Sequence, residues 1–288
     1  MKSKYEQAFD AFEPTKSSAE IVAEIEKIIS DEMASIDRLE AMKFLYSTID
    51  LTTLTATDTI SSVKKMVSEV NERHQSMAGF PTVAAICVYP SKVATVKDTL
   101  DVPGVGIAAV TGGFPASQTL LDIKLVETSM TVKTGATEID IVLNLGDFLE
   151  GNYAAVTEEI EEQKDYAASA LLKVILETGA LKEPEAIRKA SILALFSRAD
   201  FLKTSTGKEY PGASLEAAYV MCHCIRQYAE KHGRKVGVKF SGGIRTAEEA
   251  LQYYCLVKSI LGKEWLTNKL FRIGASSLEK NLREAIMA

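Results

Sequence analysis

A-D-F-L-K-T-S-T-G, residues Ala199 to Gly207, carries an apolar strand into a loop of small residues with a lysine at the junction. The residues before Lys203 suit a strand, and Thr204, Ser205, Thr206 and Gly207 suit the turn that leaves it. A lysine at a strand end, above a phosphate-sized nest of hydroxyls and backbone amides, is placed to attack a carbonyl. The plainer reading is a surface lysine at the mouth of a loop. The rest of the chain decides between them.

Seven more short β-rich runs share this spacing: 44–51, 82–89, 106–111, 138–145, 171–177, 236–240 and 271–274, with 200–204 as the sixth of eight. Amphipathic stretches lie between them, at 119–133, 154–170, 183–197, 214–231 and 247–261. Ser214 reads as an N-cap, Gly233 as a residue just past a helix end, and T-A-E-E from Thr246 to Glu249 as a capping box. Eight strands alternating with helices imply parallel pairing, and the expected fold is α/β, a (β/α)8 TIM barrel over residues 40–288. An open doubly wound sheet is the rival, but no G-x-G-x-x-G follows the first strand. Residues 1–39 fall outside the repeat and read as a helical extension. Its helix at 18–34 carries Ile21, Ile25, Ile28 and Ile29 on one side. That side either covers the barrel bottom or joins a subunit contact, as in a homodimer.

The chain has 288 residues, 47% of them hydrophobic, which is ample for one barrel-sized core. Its formal net charge of -6 argues against nucleic acid or a membrane surface as partner, since each would want a basic face. The first ten residues, M-K-S-K-Y-E-Q-A-F-D, lack the apolar run of a signal peptide, and no 18-residue apolar stretch occurs. With four scattered cysteines, Cys87, Cys222, Cys224 and Cys255, the expected compartment is the cytoplasm.

Charged residues recur inside the short apolar strands: Asp50, Asp140, Lys173, Lys203 and Lys239. Such groups are costly to bury unless paired or used. Barrel enzymes gather their chemistry at the strand ends, and so many charges there exceed one structural ion pair. A lysine with a reference pKa of about 10.4 attacks only when neutral, and a neighbouring ammonium with partial burial favours that form. One of Lys203 and Lys239 is then a Schiff-base nucleophile while the other keeps its charge, with Asp140 moving protons. S-G-G-I-R (Ser241–Arg245) and G-A-S-S (Gly274–Ser277) each precede a helix, where backbone amides meet anions, and barrel phosphate sites follow strands seven and eight. Thr206, Gly207 and Lys208 adjoin them.

Seven segments carry a resemblance to the deoxyribose-phosphate aldolase family: D-L-T-T-L (50–54), A-A-I-C-V-Y-P (84–90), T-E-I-D-I-V (137–142), L-K-V-I-L-E-T-G (172–179), A-D-F-L-K-T-S-T-G (199–207), V-G-V-K-F-S-G-G-I-R-T (236–246) and R-I-G-A-S-S (272–277). They occur in order over roughly residues 42–285. The resemblance implies a class I aldolase that reversibly splits 2-deoxy-D-ribose 5-phosphate into D-glyceraldehyde 3-phosphate and acetaldehyde, without metal or organic cofactor. It makes Lys203 the Schiff-base lysine, Lys239 the second catalytic lysine and Asp140 the proton donor and acceptor. Gly207, Lys208, Gly242, Gly243, Gly274, Ser276 and Ser277 match the family's phosphate side. Asp50, Thr52, Cys87 and Lys173 match its substrate and relay region. The N-terminal extension has no counterpart in shorter members. The chain closes on E-A-I-M-A, without the tyrosine-ended tail of some members, so a relay through such a tail is not expected.

Other motifs have plainer readings. Cys222-His223-Cys224 lies within a helical pattern, where adjacent side chains diverge and cannot close around one ion. His74, His223 and His232 are the three histidines, none at a strand end, so a zinc-dependent aldolase would lack ordinary ligands. Cys87 reads as a small pocket-lining group and Trp265 as packing on an outer helix. Two further functions stay open: another phosphosugar barrel enzyme such as an isomerase, and a non-catalytic phosphosugar-binding protein.

Overall fold

Side chains alternate along each strand, and here the two alternating sets differ in chemistry. In β4 (Glu138–Val142), Ile139 and Ile141 join the apolar core, whereas Glu138 and Asp140 face the other way. A sheet with an oily outer face and a polar inner face fits a closed barrel covered by helices. The computed structural model, which describes residues 2–288, shows that barrel. The strands are β1 (Ile49–Thr52), β2 (Ala85–Val88), β3 (Gly106–Val110), β4, β5 (Leu171–Ile175), β6 (Phe201–Lys203), β7 (Gly237–Ser241) and β8 (Phe271–Ala275). All pair in parallel, and β8 closes on β1 through Ile49 opposite Ile273.

Three helices precede the barrel: α1 (Lys4–Asp10), α2 (Ser18–Met33) and α3 (Arg38–Ser47). Those following are α4 (Ile60–Ser76), α5 (Val93–Thr99), α6 (Leu121–Thr134), α7 (Leu145–Leu149), α8 (Tyr153–Ala167), α9 (Thr178–Leu181), α10 (Pro184–Phe196), α11 (Leu215–His232), α12 (Ala247–Ile260) and α13 (Ser277–Met287). Ser214 caps α11, Gly233 ends it with φ 68°, and Thr246 with Glu249 forms the capping box of α12. These local signals therefore act as read.

The first expected strand, 44–51, is helix in its first half, 44–47. Asp37 accepts from the Glu40 amide and starts α3, whose Ala41 and Leu45 bury one helical face, so the strand begins only at Ile49. The extension packs on the outer helices of the barrel. Ile21 and Ile25 are buried as α2 packs on α11 and α12, and Lys258 pairs with Glu32 at 2.6 Å. Upstream, Arg188 donates to the Phe9 carbonyl at 2.9 Å, and the Glu13 amide donates to Gln227 at 2.8 Å. Trp265 sits in a 3-10 turn, not a helix, and donates to the Val236 carbonyl at 2.9 Å. No helix among the described residues is long and apolar enough to cross a membrane.

The barrel interior is lopsided. Toward β2 and β3 it is small and apolar, with Ala85, Cys87, Ala108 and Val110 packed under Leu54, Tyr89 and Phe114. Toward β4 to β8 it is charged. Large groups fit there because β7 and β8 expose glycines: a Cβ on Gly237 would lie 2.4 Å from the Phe201 ring.

Candidate active site

Asp140 stands at the centre of the charged half. Its Oδ1 accepts from Lys173 Nζ at 2.9 Å, and its Oδ2 accepts from Lys203 and Lys239, each at 2.8 Å. Register brings these groups together, since Asp140 pairs with Lys173 across β4 and β5, and Lys203 with Lys239 across β6 and β7. One layer lower, Arg272 from β8 bonds Asp50 at 2.6 Å and Glu138 at 2.9 and 3.1 Å. Lys173 also reaches Glu138 at 2.6 Å and Asp50 at 3.4 Å, and Lys239 reaches Asp50 at 2.6 Å. The last is an ion contact without hydrogen-bond alignment. Four basic and three acidic side chains thus share one buried interior, where unpaired charge is costly.

The lysines do not hold their protons equally. Burial opposes charge on all three. For Lys173 it is outweighed by Asp140, Glu138 and Asp50, and for Lys239 by Asp140 and Asp50, so both sit above the ordinary lysine range. For Lys203 burial prevails: Asp140 alone does not offset it, and the Lys239 ammonium adds to it, so Lys203 is pushed down. Asp140 and Asp50 are also buried, yet the surrounding cations hold both below the usual carboxylate range. Burial raises Cys87, which stays a neutral thiol between Ala85 and Ala108.

Lys203 is the lysine of this cluster that lines the cleft above, a space of about 330 Å³. Thr52, Thr206, Gly207, Lys208, Gly242, Gly243, Gly274, Ser276 and Ser277 line the same cleft, as do Ser241 and Arg245. Asp50, Cys87, Asp140, Lys173 and Lys239 lie beneath it, buried in mid-strand rather than at strand ends. The sites expected from the sequence therefore form a floor and a rim. Gly242 and Gly243 take φ of 86° and 89°, open to glycine, and Gly242 packs on Gly212, where a Cβ would stand 2.9 Å from the Gly212 Cα.

The Thr204 and Thr206 hydroxyls of K-T-S-T-G have structural partners instead of facing the cleft as a nest, and the Ser205 hydroxyl is buried without one. Thr204 Oγ1 accepts from the Ser241 amide at 3.0 Å, tying β6 to β7. Thr206 Oγ1 donates to Glu177 at 2.5 Å, and the Thr206 amide donates to the other oxygen at 3.2 Å. Glu177 is buried and left-handed at φ 52°, so the loop after β5 holds the loop after β6. Burial raises the Glu177 carboxyl, and both of its oxygens are engaged. The Lys208 ammonium donates to the Leu54 carbonyl across the cleft.

A sequence model described as DeoC/LacD family aldolase matches residues 44–278. The chain belongs to that family. Its relatives include the mouse deoxyribose-phosphate aldolase, 42% identical over 83% of this chain and 78% of the relative. The human deoxyribose-phosphate aldolase is 40% identical over the same shares. Among solved structures, the deoxyribose phosphate aldolase from Aeropyrum pernix, described as a unique tetramer, superposes with a TM-score of 0.66 at 27% identity, over 94% of this chain and 98% of that one.

Three groups of the site carry no expectation from the sequence: Glu138, Arg272 and Glu177. The first two had a signal, since each lies two residues from a chosen position on the same strand, Asp140 and Gly274, and shares its face. Glu177 had none, because its role depends on a left-handed backbone and a partner loop 29 residues away. His74 and His232 are exposed, Cys222 and Cys224 are buried in α11, and no cluster of three metal-binding side chains occurs among the described residues.

Proposed function

We propose that the chain is a class I aldolase that cleaves 2-deoxy-D-ribose 5-phosphate reversibly to D-glyceraldehyde 3-phosphate and acetaldehyde, with Lys203 as nucleophile. One observation carries the reading: Lys203 alone of the buried lysines opens onto the cleft, and its amine is the one whose proton burial and the Lys239 ammonium disfavour. The neutral amine adds to the C1 aldehyde, and loss of water leaves a protonated imine. Removal of the C3 hydroxyl proton then breaks the C2–C3 bond, and the electron pair enters the imine as an enamine. Protonation at C2 and hydrolysis release acetaldehyde and free Lys203. Asp140, whose Oδ2 accepts from both Lys203 and Lys239, is the proton donor and acceptor for these steps, and Lys239 is the second catalytic lysine, whose ammonium disfavours a proton on Lys203.

The rim supports a phosphate. Gly207, Gly242, Gly243, Gly274, Ser276 and Ser277 present backbone amides and hydroxyls beside Lys208, with Thr52 opposite. Asp50 and Lys173 belong to the floor that fixes Asp140 and Lys239. The isomerase and non-catalytic readings have no comparable support, since neither needs an unprotonated lysine. A cytoplasmic setting is part of the proposal, supported by four free, buried cysteines. So is a homodimer, supported by Ile123, Val126 and Met130, exposed along one face of α6 and checked by light scattering.

Borohydride reduction in the presence of acetaldehyde tests the chemistry. The expected product is a single ethylated lysine, located at Lys203 by peptide mass spectrometry, with activity lost in proportion. Modification at Lys239 or Lys173 instead, or none, would refute the assignment.

A further inference from the structure

The three lysines of the floor differ in how many carboxylates they touch. Lys173 touches three, Asp50, Glu138 and Asp140; Lys239 touches two, Asp50 and Asp140; Lys203 touches only Asp140, which it shares with both others. Arg272, which does not line the cleft, takes Asp50 Oδ1 and both oxygens of Glu138. A guanidinium is charged at every working pH. With Arg272, Lys173 and Lys239 as cations, the three carboxylates are already matched, and a Lys203 ammonium would be a fourth cation without a fourth anion. A dry interior tolerates such an excess poorly.

We propose that Arg272 is a positioning residue for the reaction: by occupying Asp50 and Glu138 from the barrel floor, it leaves Lys203 without a carboxylate of its own and so keeps the nucleophile unprotonated. The inference rests on the reading of Lys203 as nucleophile. The groups around Lys203 agree with this balance. Cys87 from β2 is a neutral thiol. Glu177, from the loop after β5, has both oxygens on Thr206. Lys208, on the loop after β6, is turned to the Leu54 carbonyl. Asp140, Lys173, Lys239, Asp50, Glu138 and Arg272 complete the set.

Opposite shifts from opposite charge deletions make the test. In the acid limb of kcat/KM for 2-deoxyribose 5-phosphate cleavage, Arg272→Met removes one cation, so Lys203 keeps its proton longer and the limb moves up by about one pH unit. That is about a tenfold loss at fixed pH on the limb. Glu138→Gln removes one anion and moves the limb down. The double variant restores the surplus cation and returns the limb toward its original place, whereas a purely structural role makes the double variant no better than the worse single one. Arg272→Lys, which keeps a cation there, leaves the limb in place.

If Arg272→Met does not fold, Glu138→Gln carries the sign and the double variant carries the rescue. An unmoved limb in a folded Arg272→Met protein, shifts of the same sign in both single variants, or an upward shift in Glu138→Gln overturns the proposal. Borohydride trapping on the unmodified protein separates the two readings. Absence of an adduct on Lys203 sinks the nucleophile assignment, whereas an adduct there with an unmoved limb sinks only the role of Arg272.

Discussion

Lys239→Met removes the ammonium that shares an Asp140 oxygen with Lys203, the proposed nucleophile, while keeping an unbranched side chain of similar length. Lys239 Nζ and Lys203 Nζ each lie 2.8 Å from Asp140 Oδ2, so they are at most twice that, 5.6 Å, apart. At an effective dielectric of about 20, two unit charges at that separation repel by about 3 kcal/mol, or roughly two pKa units. The variant also frees Asp140 from one of its three lysines, which strengthens its hold on Lys203 in the same direction. The sign follows: Lys203 is neutral above its lowered pKa, so raising that pKa moves the acid limb of activity upward by about two pH units. The cleanest assay is the rate of borohydride trapping with acetaldehyde across pH, because it reads imine formation without later proton transfers. A trapping rate lowered evenly at every pH, with its midpoint unmoved, would refute the electrostatic argument and leave Lys239 a proton-transfer role alone.

Further outcomes follow from contacts around the cleft. A Cβ on Gly274 would lie 2.9 Å from Ser241 Cβ and 3.0 Å from Lys239 Cε, so Gly274→Ala displaces Lys239; turnover should fall at least about tenfold while melting shifts reflect only the usual overpacking cost of about 1–3 kcal/mol. Wild-type turnover in that variant would show that Lys239 tolerates displacement. Glu177→Gln loosens the Thr206–Lys208 loop by weakening a charge-assisted hydrogen bond, so KM for the phosphorylated sugar should rise about tenfold while kcat/KM for unphosphorylated 2-deoxyribose holds. Equal losses on both substrates would assign Glu177 to the fold instead. Ile21→Ala, on the buried face of α2, should cost about 2–5 kcal/mol in denaturant unfolding without altering which lysine is trapped. A loss under about 0.5 kcal/mol would mean that α2 is not part of the cooperative unit.

Much of the architecture was legible because it depends on local repetition. The Ser214 cap, the Thr246 capping box and the strand-to-helix alternation each need only neighbouring residues. Failures came where packing overrode propensity. Phe44 to Ser47 read as strand because aromatic and apolar residues favour one, yet Asp37 and the burial of Ala41 and Leu45 wind them into α3. Trp265 ended in a turn whose indole finds a strand carbonyl that no helical pattern could announce.

The sequence by itself determined the barrel, through eight repeats of a strand and a crossover, and it determined which residue types occupy the strand faces. It placed K-T-S-T-G where a strand runs into a loop, and lysines on β5, β6 and β7. Tertiary structure alone decided which lysine is left with a single, shared carboxylate. That choice depends on three carboxylates converging from β1 and β4 on cations from four other strands, with Arg272 among them. Charge in a dry interior is set by the whole cluster at distances of 2.6 to 3.4 Å, and such distances arise only when the barrel closes.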